Sequence, residues 1–284
     1  MSERVLDIQN LVVEYPGQGF RAKPFRVLHS VSVDLYEGEC VGLVGESGCG
    51  KTTLGRAVLG LAPVTGGQIL YRGEDIAHWS RAERRRLAGD IQVVFQDPYT
   101  SLNPSLTVEQ ILIEPLRVQK VPRDKALKRI KDLFEFVQLP RDAGSRLPRE
   151  FSGGQRQRIA IARALALEPK LVICDEPVSA LDLSTQRRVL DLFLEIQERT
   201  NVAMIFISHD LEVVRYVSHR VAVMYAGEIV EFGDGDQVTS RPEHLYTKRL
   251  FFASPVADPD EQARRRKQRL EFAAHADLEL AGVG

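Results

Sequence analysis

Apolar and polar residues alternate from Val5 to Tyr15 and again from Val27 to Leu35, the period-two pattern of half-buried antiparallel strands. The stretch PGQGFRAKP between them reads as a loop, so a small β-rich lobe is expected first. The pattern then changes. ECVGLVG (39–45) runs apolar into a glycine-rich turn and on into KTTLGRAVLGL, a strand, a loop and a helix in succession. Continuous apolar runs follow at 91–95, 171–175 and 202–208, separated by helical patterns. Such runs predict strands buried on both faces, and right-handed crossovers make them a mainly parallel sheet covered by helices.

Between Thr107 and about Arg149 the signals are helical, with Pro115, Pro122, Pro140 and Pro148 as breaks, which predicts a helical insert between two core strands. VAVMYAGEIVEFGD reads as a hairpin turning at Ala226 and Gly227, followed by a short helix near PEHLYTKRLFF and a polar tail holding RRRKQR (264–269). That basic run and RAERRR (81–86) are read as solvated faces.

Composition narrows the picture. The 284 residues are 44% hydrophobic and 27% charged, enough for a core that needs no staples. With 38 Lys and Arg against 39 Asp and Glu, the net charge of −1 supplies no overall field toward nucleic acid or anionic lipid. Cys40, Cys49 and Cys174 are not closely paired, so neither a disulfide framework nor a zinc site is expected. That cysteine usage suits a reducing cytoplasm. Because the first residues lack a long apolar segment and no stretch approaches the roughly 18 apolar residues of a membrane span, the chain is expected to be neither secreted nor membrane-spanning by itself, with docking on a membrane protein left open.

The chemistry lies at the strand ends. GESGCGKT (45–52) matches G-x-x-x-x-G-K-[ST] in the strand-loop-helix context that this phosphate cradle requires. Gly45, Gly48 and Gly50 let backbone N–H groups wrap phosphates, Lys51 adds a point charge, and the Thr52 hydroxyl is suited to Mg²⁺. Cys49 sits in the loop without a chemical task. LVICDEP puts Asp175 and Glu176 at the end of a buried strand, where Asp175 is expected to hold Mg²⁺ and Glu176 to orient or deprotonate the attacking water. Gln96 and His209 also follow strands. His209 is placed to donate to a γ-phosphate oxygen or to hold the water and Glu176 in register, and Gln96 to touch Mg²⁺ or the water. Tyr15 offers a face for adenine, although a strand-end tyrosine is ordinarily packing. FSGGQRQRIAIARALAL (151–167) opens a helix with Ser152, Gly153 and Gly154, whose N–H groups favour an anion. One chain thus carries two phosphate cradles.

The phosphate loop, Gln96, SGGQ, DE, SALD and His209 stand in an order that resembles ATP-binding cassette (ABC) ATPases, over about residues 5–252. The resemblance implies an α/β P-loop NTPase fold, an ABC nucleotide-binding domain at 1–255 with an N-terminal antiparallel β lobe and a helical subdomain at about 100–165, and a tail at 256–284. It matches Tyr15 to the adenine-stacking aromatic and Gly45, Glu46, Ser47, Gly48, Cys49, Gly50, Lys51, Thr52 and Thr53 to the Walker A loop. It matches Gln96 to the Q-loop, Ser152, Gly153, Gly154 and Gln155 to the signature, Asp175 and Glu176 to Walker B and the catalytic base, Asp182 to the D-loop, and His209 to the switch histidine. In that family two domains face head to tail, so the signature of one closes over ATP held by the other's loop, which accounts for the second cradle.

VVFQDPYTSLNPSLTVEQIL and PEHLYTKRLFFASP are more finely similar to the ATP-binding subunits of dipeptide, oligopeptide and nickel uptake systems. Leu245 replaces a proline usual there, and the cysteine cluster that many of them use for an iron-sulfur centre is missing, so no cluster is expected. The resemblance implies ATP and Mg²⁺ as cofactors and a second ABC ATPase subunit, homologous or identical, as partner. It also implies two transmembrane permeases and, indirectly, an extracytoplasmic solute-binding protein, with the chain peripheral on the cytoplasmic face of the bacterial inner membrane. Permease docking is expected around Gln96 and the helical insert. Two alternatives differ in class: a soluble cassette acting on nucleic acid or ribosomes, which usually brings a second cassette, coiled-coil insertions or zinc cysteines, and a non-catalytic cassette, against which Lys51, Asp175, Glu176 and His209 argue.

Overall fold

The computed structural model describes residues 3–17, 19 and 23–253. From the N-terminus come β1 (Arg4–Tyr15), β2 (Phe25–Tyr36), β3 (Cys40–Val44), α1 (Lys51–Val58), β4 (Val64–Tyr71) and β5 (Glu74–Asp75). Helix α2 (Arg81–Arg84) precedes β6 (Ile91–Val94), and α3 (Pro98–Ser101), α4 (Val108–Val118), α5 (Arg123–Phe136) and α6 (Gly153–Leu165) follow. Then β7 (Leu171–Asp175), α7 (Leu183–Thr200), β8 (Ala203–Ser208), α8 (Leu211–Val217) and β9 (Arg220–Tyr225) lead to β10 (Glu228–Asp234), α9 (Gly235–Ser240) and α10 (Leu245–Ala253).

Two sheets result. The antiparallel one has the order β2-β1-β4-β5, and the other has the order β10-β9-β3-β8-β7-β6, parallel except where β10 turns back on β9. The fold is therefore α/β, as expected. Strands β3, β7 and β8 are buried almost throughout, which is why they read as continuous apolar runs. The 226–227 turn has φ of 47° at Ala226 and 85° at Gly227, the two positive values that a tight hairpin matching strand twist requires. No helix among the described residues is long and apolar enough to cross a membrane.

Two features depart from the sequence pattern. Strand β4 escaped it because Gly66 and Gly67 interrupt the alternation. Gly67 has φ of 78°, and a Cβ there would lie 2.3 Å from the Asn10 carbonyl oxygen, so only glycine lets β4 approach the bulge in β1. The run RAERRR is not wholly a solvated face. Arg84 is half-buried and its guanidinium donates to the carbonyls of Val58 and Ile76, closing the C-terminal end of α1, while Arg86 lies 4.8 Å over the Trp79 ring. The basic run at 264–269 lies outside the described residues.

One side chain ties the sheets together. Arg220 at the start of β9 donates to Asp34 of β2 (Nη1 to Oδ1, 3.0 Å) and to both carboxylate oxygens of Glu39, and its guanidinium lies 4.7 Å over the Phe232 ring. Burial alone would raise the Asp34 pKa, but hydrogen bonds from Arg220 and Tyr36 outweigh it and hold the carboxyl below its ordinary 3.8. A lowered carboxylate pKa contributes stability that is present above the ordinary value and is lost as pH falls through the folded value. Arg220→Ala is expected to cost about 2 kcal/mol at neutral pH by leaving two half-buried carboxylates unpaired, with the deficit narrowing below pH 3.8. Chemical unfolding of both proteins at neutral and acid pH checks this.

Candidate functional site

The phosphate loop owes its shape to glycine. Gly48 and Gly50 have φ of 84° and 112°, and a Cβ on Gly45 would sit 2.1 Å from the Met224 carbonyl oxygen. Lys51, only 4% exposed, folds over the loop and donates from Nζ to the carbonyls of Gly45 (2.7 Å) and Glu46 (2.9 Å). A buried ammonium needs such acceptors, and phosphate oxygens would serve it more strongly. The Cys49 sulfur lies 3.9 Å from that nitrogen, and burial raises its thiol pKa. Thr53 follows Thr52 in the first turn of α1, and both are half-buried.

Helix α1 carries the loop close to the sheet because Gly55 leaves room. A Cβ there would be 3.1 Å from Ile173 of β7 and 3.3 Å from Ile207 of β8. This approach lets the Thr52 hydroxyl donate to Asp175 Oδ1 at 2.9 Å, across the end of β8. The Asp175 carboxyl has a raised pKa, first from burial and also from the neighbouring Glu176 charge, despite the Thr52 hydrogen bond.

Parallel pairing brings the remaining candidates level. Val94, Asp175, Ser208 and Val44 end adjacent strands β6, β7, β8 and β3, so Gln96, Glu176, His209 and the loop meet at one edge. Glu176 Oε2 lies 3.1 Å from Gln96 Nε2, which donates to it, and 3.2 Å from His209 Nδ1. Glu176 has φ of 47°, a left-handed value unusual outside glycine, and the Ser179 hydroxyl caps the turn by donating to its carbonyl at 3.1 Å. Ser47, Gln96, Asp97, Glu176, Ser179, Ala180 and His209 line an open cleft of about 480 Å³. Asp97 is an addition to the sequence reading, and Ser179, the first residue of SALD, gains a place in the cleft that the motif alone did not assign. Their signal was local: Asp97 adjoins Gln96, and a serine three residues after Glu176 is a turn signature.

The signature residues occupy a different element. Ser152 caps α6, its hydroxyl accepting from the Gln155 N–H (3.4 Å) while Gln155 Oε1 accepts from the Ser152 N–H (3.0 Å). None of residues 152–155 lines the cleft that holds Ser47 and Glu176. Asp182 caps α7, accepting from the Ser184 hydroxyl at 2.7 Å and from the Thr185 N–H at 3.0 Å, and these bonds lower its pKa. Tyr15 ends β1, half-buried against the cluster that contains Cys49, without a place in the cleft.

A family model described as ABC transporter matches residues 28–179. The glutathione import ATP-binding protein GsiA of Pectobacterium atrosepticum is 49% identical over 100% of this chain and 46% of that protein, so the chain spans less than half of GsiA. The oligopeptide transport ATP-binding protein OppF of Salmonella typhimurium is 48% identical over 88% of this chain and 75% of that protein. The chain belongs to the ABC transporter family. Among solved structures, cbiO1 from Clostridium perfringens, part of an ABC transporter complex, superposes with a TM-score of 0.75 at 26% identity, covering 87% of this chain and 95% of cbiO1. The ATP-binding cassette MJ0796, as a dimer in a post-hydrolysis state bound to ADP and Pi, superposes at 0.71 with 27% identity, covering 81% of this chain and 98% of MJ0796. The matched family segment of this ABC protein includes Lys51, Gln96, the signature, Asp175 and Glu176, and stops before Asp182 and His209.

As for a metal, no group of three or more His, Cys, Asp and Glu is assembled among the described residues. Thr52 and Asp175 supply one hydroxyl and one carboxylate, two hard oxygens already 2.9 Å apart. This set fits Mg²⁺, which keeps several waters and takes one or two protein ligands alongside substrate phosphates.

Proposed function

We propose that this ABC protein is the ATP-hydrolysing subunit of an importer for peptides or similar small solutes. It works as one half of a head-to-tail pair, peripheral on the cytoplasmic face of the bacterial inner membrane beneath two permeases. An extracytoplasmic binding protein supplies the solute. The observation that carries the catalytic part is the Glu176 carboxylate, held by Gln96 and His209 at the mouth of the phosphate-loop cleft. The names of GsiA and OppF, which specify glutathione and oligopeptide, support the substrate class.

In this reading the triphosphate of ATP lies in the loop and Lys51 exchanges the Gly45 and Glu46 carbonyls for phosphate oxygens. Thr52 and Asp175 are the residues that would hold Mg²⁺, which when bound neutralises charge on the phosphates. Glu176 takes a proton from water, whose oxygen attacks the γ-phosphorus as the bond to the ADP oxygen breaks. Gln96 and His209 hold the carboxylate in line with that water. Tyr15 stacks on adenine. Ser152, Gly153, Gly154 and Gln155 serve the γ-phosphate bound by the partner subunit. Their place outside the chain's own cleft and the dimeric form of MJ0796 support this.

Three variants test the reading, with hydrolysis measured in the assembled transporter. Glu176→Gln is expected to retain ATP binding and lose turnover by about 10²–10⁴-fold, measured as phosphate release; a wild-type rate would remove the base assignment. Lys51→Ala is expected to lose nucleotide binding itself, measured by titration with a fluorescent ATP analogue. Ser152→Arg is expected to abolish hydrolysis while the isolated subunit still binds ATP. If that subunit loses ATP binding as well, the signature belongs to its own site and the head-to-tail pair is wrong.

A further inference from the structure

The outer side of the phosphate loop is gripped by the chain's last described elements, which lie beyond the segment that the family model matches. The Gly227 N–H of the β9–β10 turn donates to the Cys49 carbonyl (3.0 Å), and Gly45 lies against the Met224 carbonyl. The third contact comes from a side chain. Tyr246, in the first turn of α10, accepts a hydrogen bond on its hydroxyl from the Glu46 N–H at 3.0 Å. Its ring is 7% exposed, packs with Val44, Leu211, Val214 and Val223, and lies 4.4 Å from the Tyr225 ring. Val44 is the residue before the loop. A phenylalanine would fill the same apolar space, so the hydroxyl is needed for its bond to the loop.

Helix α10 is itself fastened. The Glu231 carboxylate of β10 accepts from the N–H groups of Glu243 (2.9 Å) and His244 (3.0 Å), and His244 Nδ1 accepts from the Tyr246 N–H at 3.2 Å. A line of hydrogen bonds thus runs from β10 through the start of α10 to the loop.

We propose that Tyr246 is a positioning residue for nucleotide binding, latching the phosphate loop from outside through the Glu46 N–H. The loop must keep several N–H groups converging on phosphate. Fixing one that faces away removes freedom that binding would otherwise have to remove. The latch acts on ATP affinity and leaves the chemical step to Glu176. It rests on the reading of this loop as the ATP site.

Tyr246→Phe in the full-length protein is the test. The ATP dissociation constant and KM are expected to rise about three- to tenfold, with kcat within about twofold of wild type and an unchanged thermal midpoint. Glu231→Ala, which frees the start of α10, is expected to shift KM in the same direction. A Tyr246→Phe protein that binds ATP as wild type does overturns the latch alone. A wild-type protein that binds no ATP overturns the proposed function and the latch with it. Should the Phe variant fail to fold, amide exchange in the wild type decides: a protected Glu46 N–H supports the latch, and exchange at the rate of an open loop overturns it.

Discussion

The site depends on a carboxylate placed where water is scarce. Asp175 ends a strand flanked on both sides by other strands, so burial raises the cost of its charge, and Glu176 beside it adds repulsion. The Thr52 hydroxyl offsets part of that cost at 2.9 Å, and it arrives there only because Gly55 lets α1 lie against Ile173 and Ile207. A larger residue at Gly55 would lift the helix and separate the two oxygens suited to a divalent cation. The phosphate loop, the Thr52–Asp175 pair and the sheet are thus one mechanical unit, set by the missing side chain of one glycine.

Strand order does the rest. Gln96, Glu176 and His209 are 80 and 33 residues apart along the chain, yet each follows one of three adjacent parallel strands that end at the same level. Their meeting needs no special loop, only the parallel register that right-handed crossovers impose. Glu176 also pays a local strain at φ 47°, and its N–H bond to the Ile207 carbonyl together with the contacts of Ser179, Gln96 and His209 hold it there. Both side-chain contacts fall on Oε2, and Glu176 lines the cleft.

The legible parts of the sequence were those whose partners are encoded by type and spacing. GESGCGKT announces its loop because glycines and a lysine at those offsets have few other uses, and the buried strands announce themselves by continuous apolarity. Strand β4 was hidden because Gly66 and Gly67 break its alternation for the sake of close approach to β1. Arg84 was hidden because its acceptors are backbone carbonyls, which every residue has. Tyr246 was hidden for the same reason at a greater distance, since its partner is a backbone N–H 200 residues earlier. Side-chain to backbone bonds of this kind carry no spacing and no complementary residue type, so only the fold discloses them.

The signature turn adds a last step. In the proposed head-to-tail pair this turn would close on the other subunit's phosphate, and such a surface gains affinity if it is ordered beforehand. The reciprocal bonds between Ser152 and Gln155 fix the first turn of α6, and Arg156 donates to the carbonyls of Phe151 (3.0 Å) and Arg149 (3.2 Å) while lying 4.3 Å over Tyr99. Gly154 sits so close to α7 that a Cβ would meet Thr185 at 2.2 Å, and Thr185 is itself held by Asp182. The signature turn and the D-loop residue Asp182 are therefore parts of one packed body. In the proposed pair, displacement of either would carry the other with it, giving the two helix N-termini a shared motion through the contact of Gly154 with Thr185.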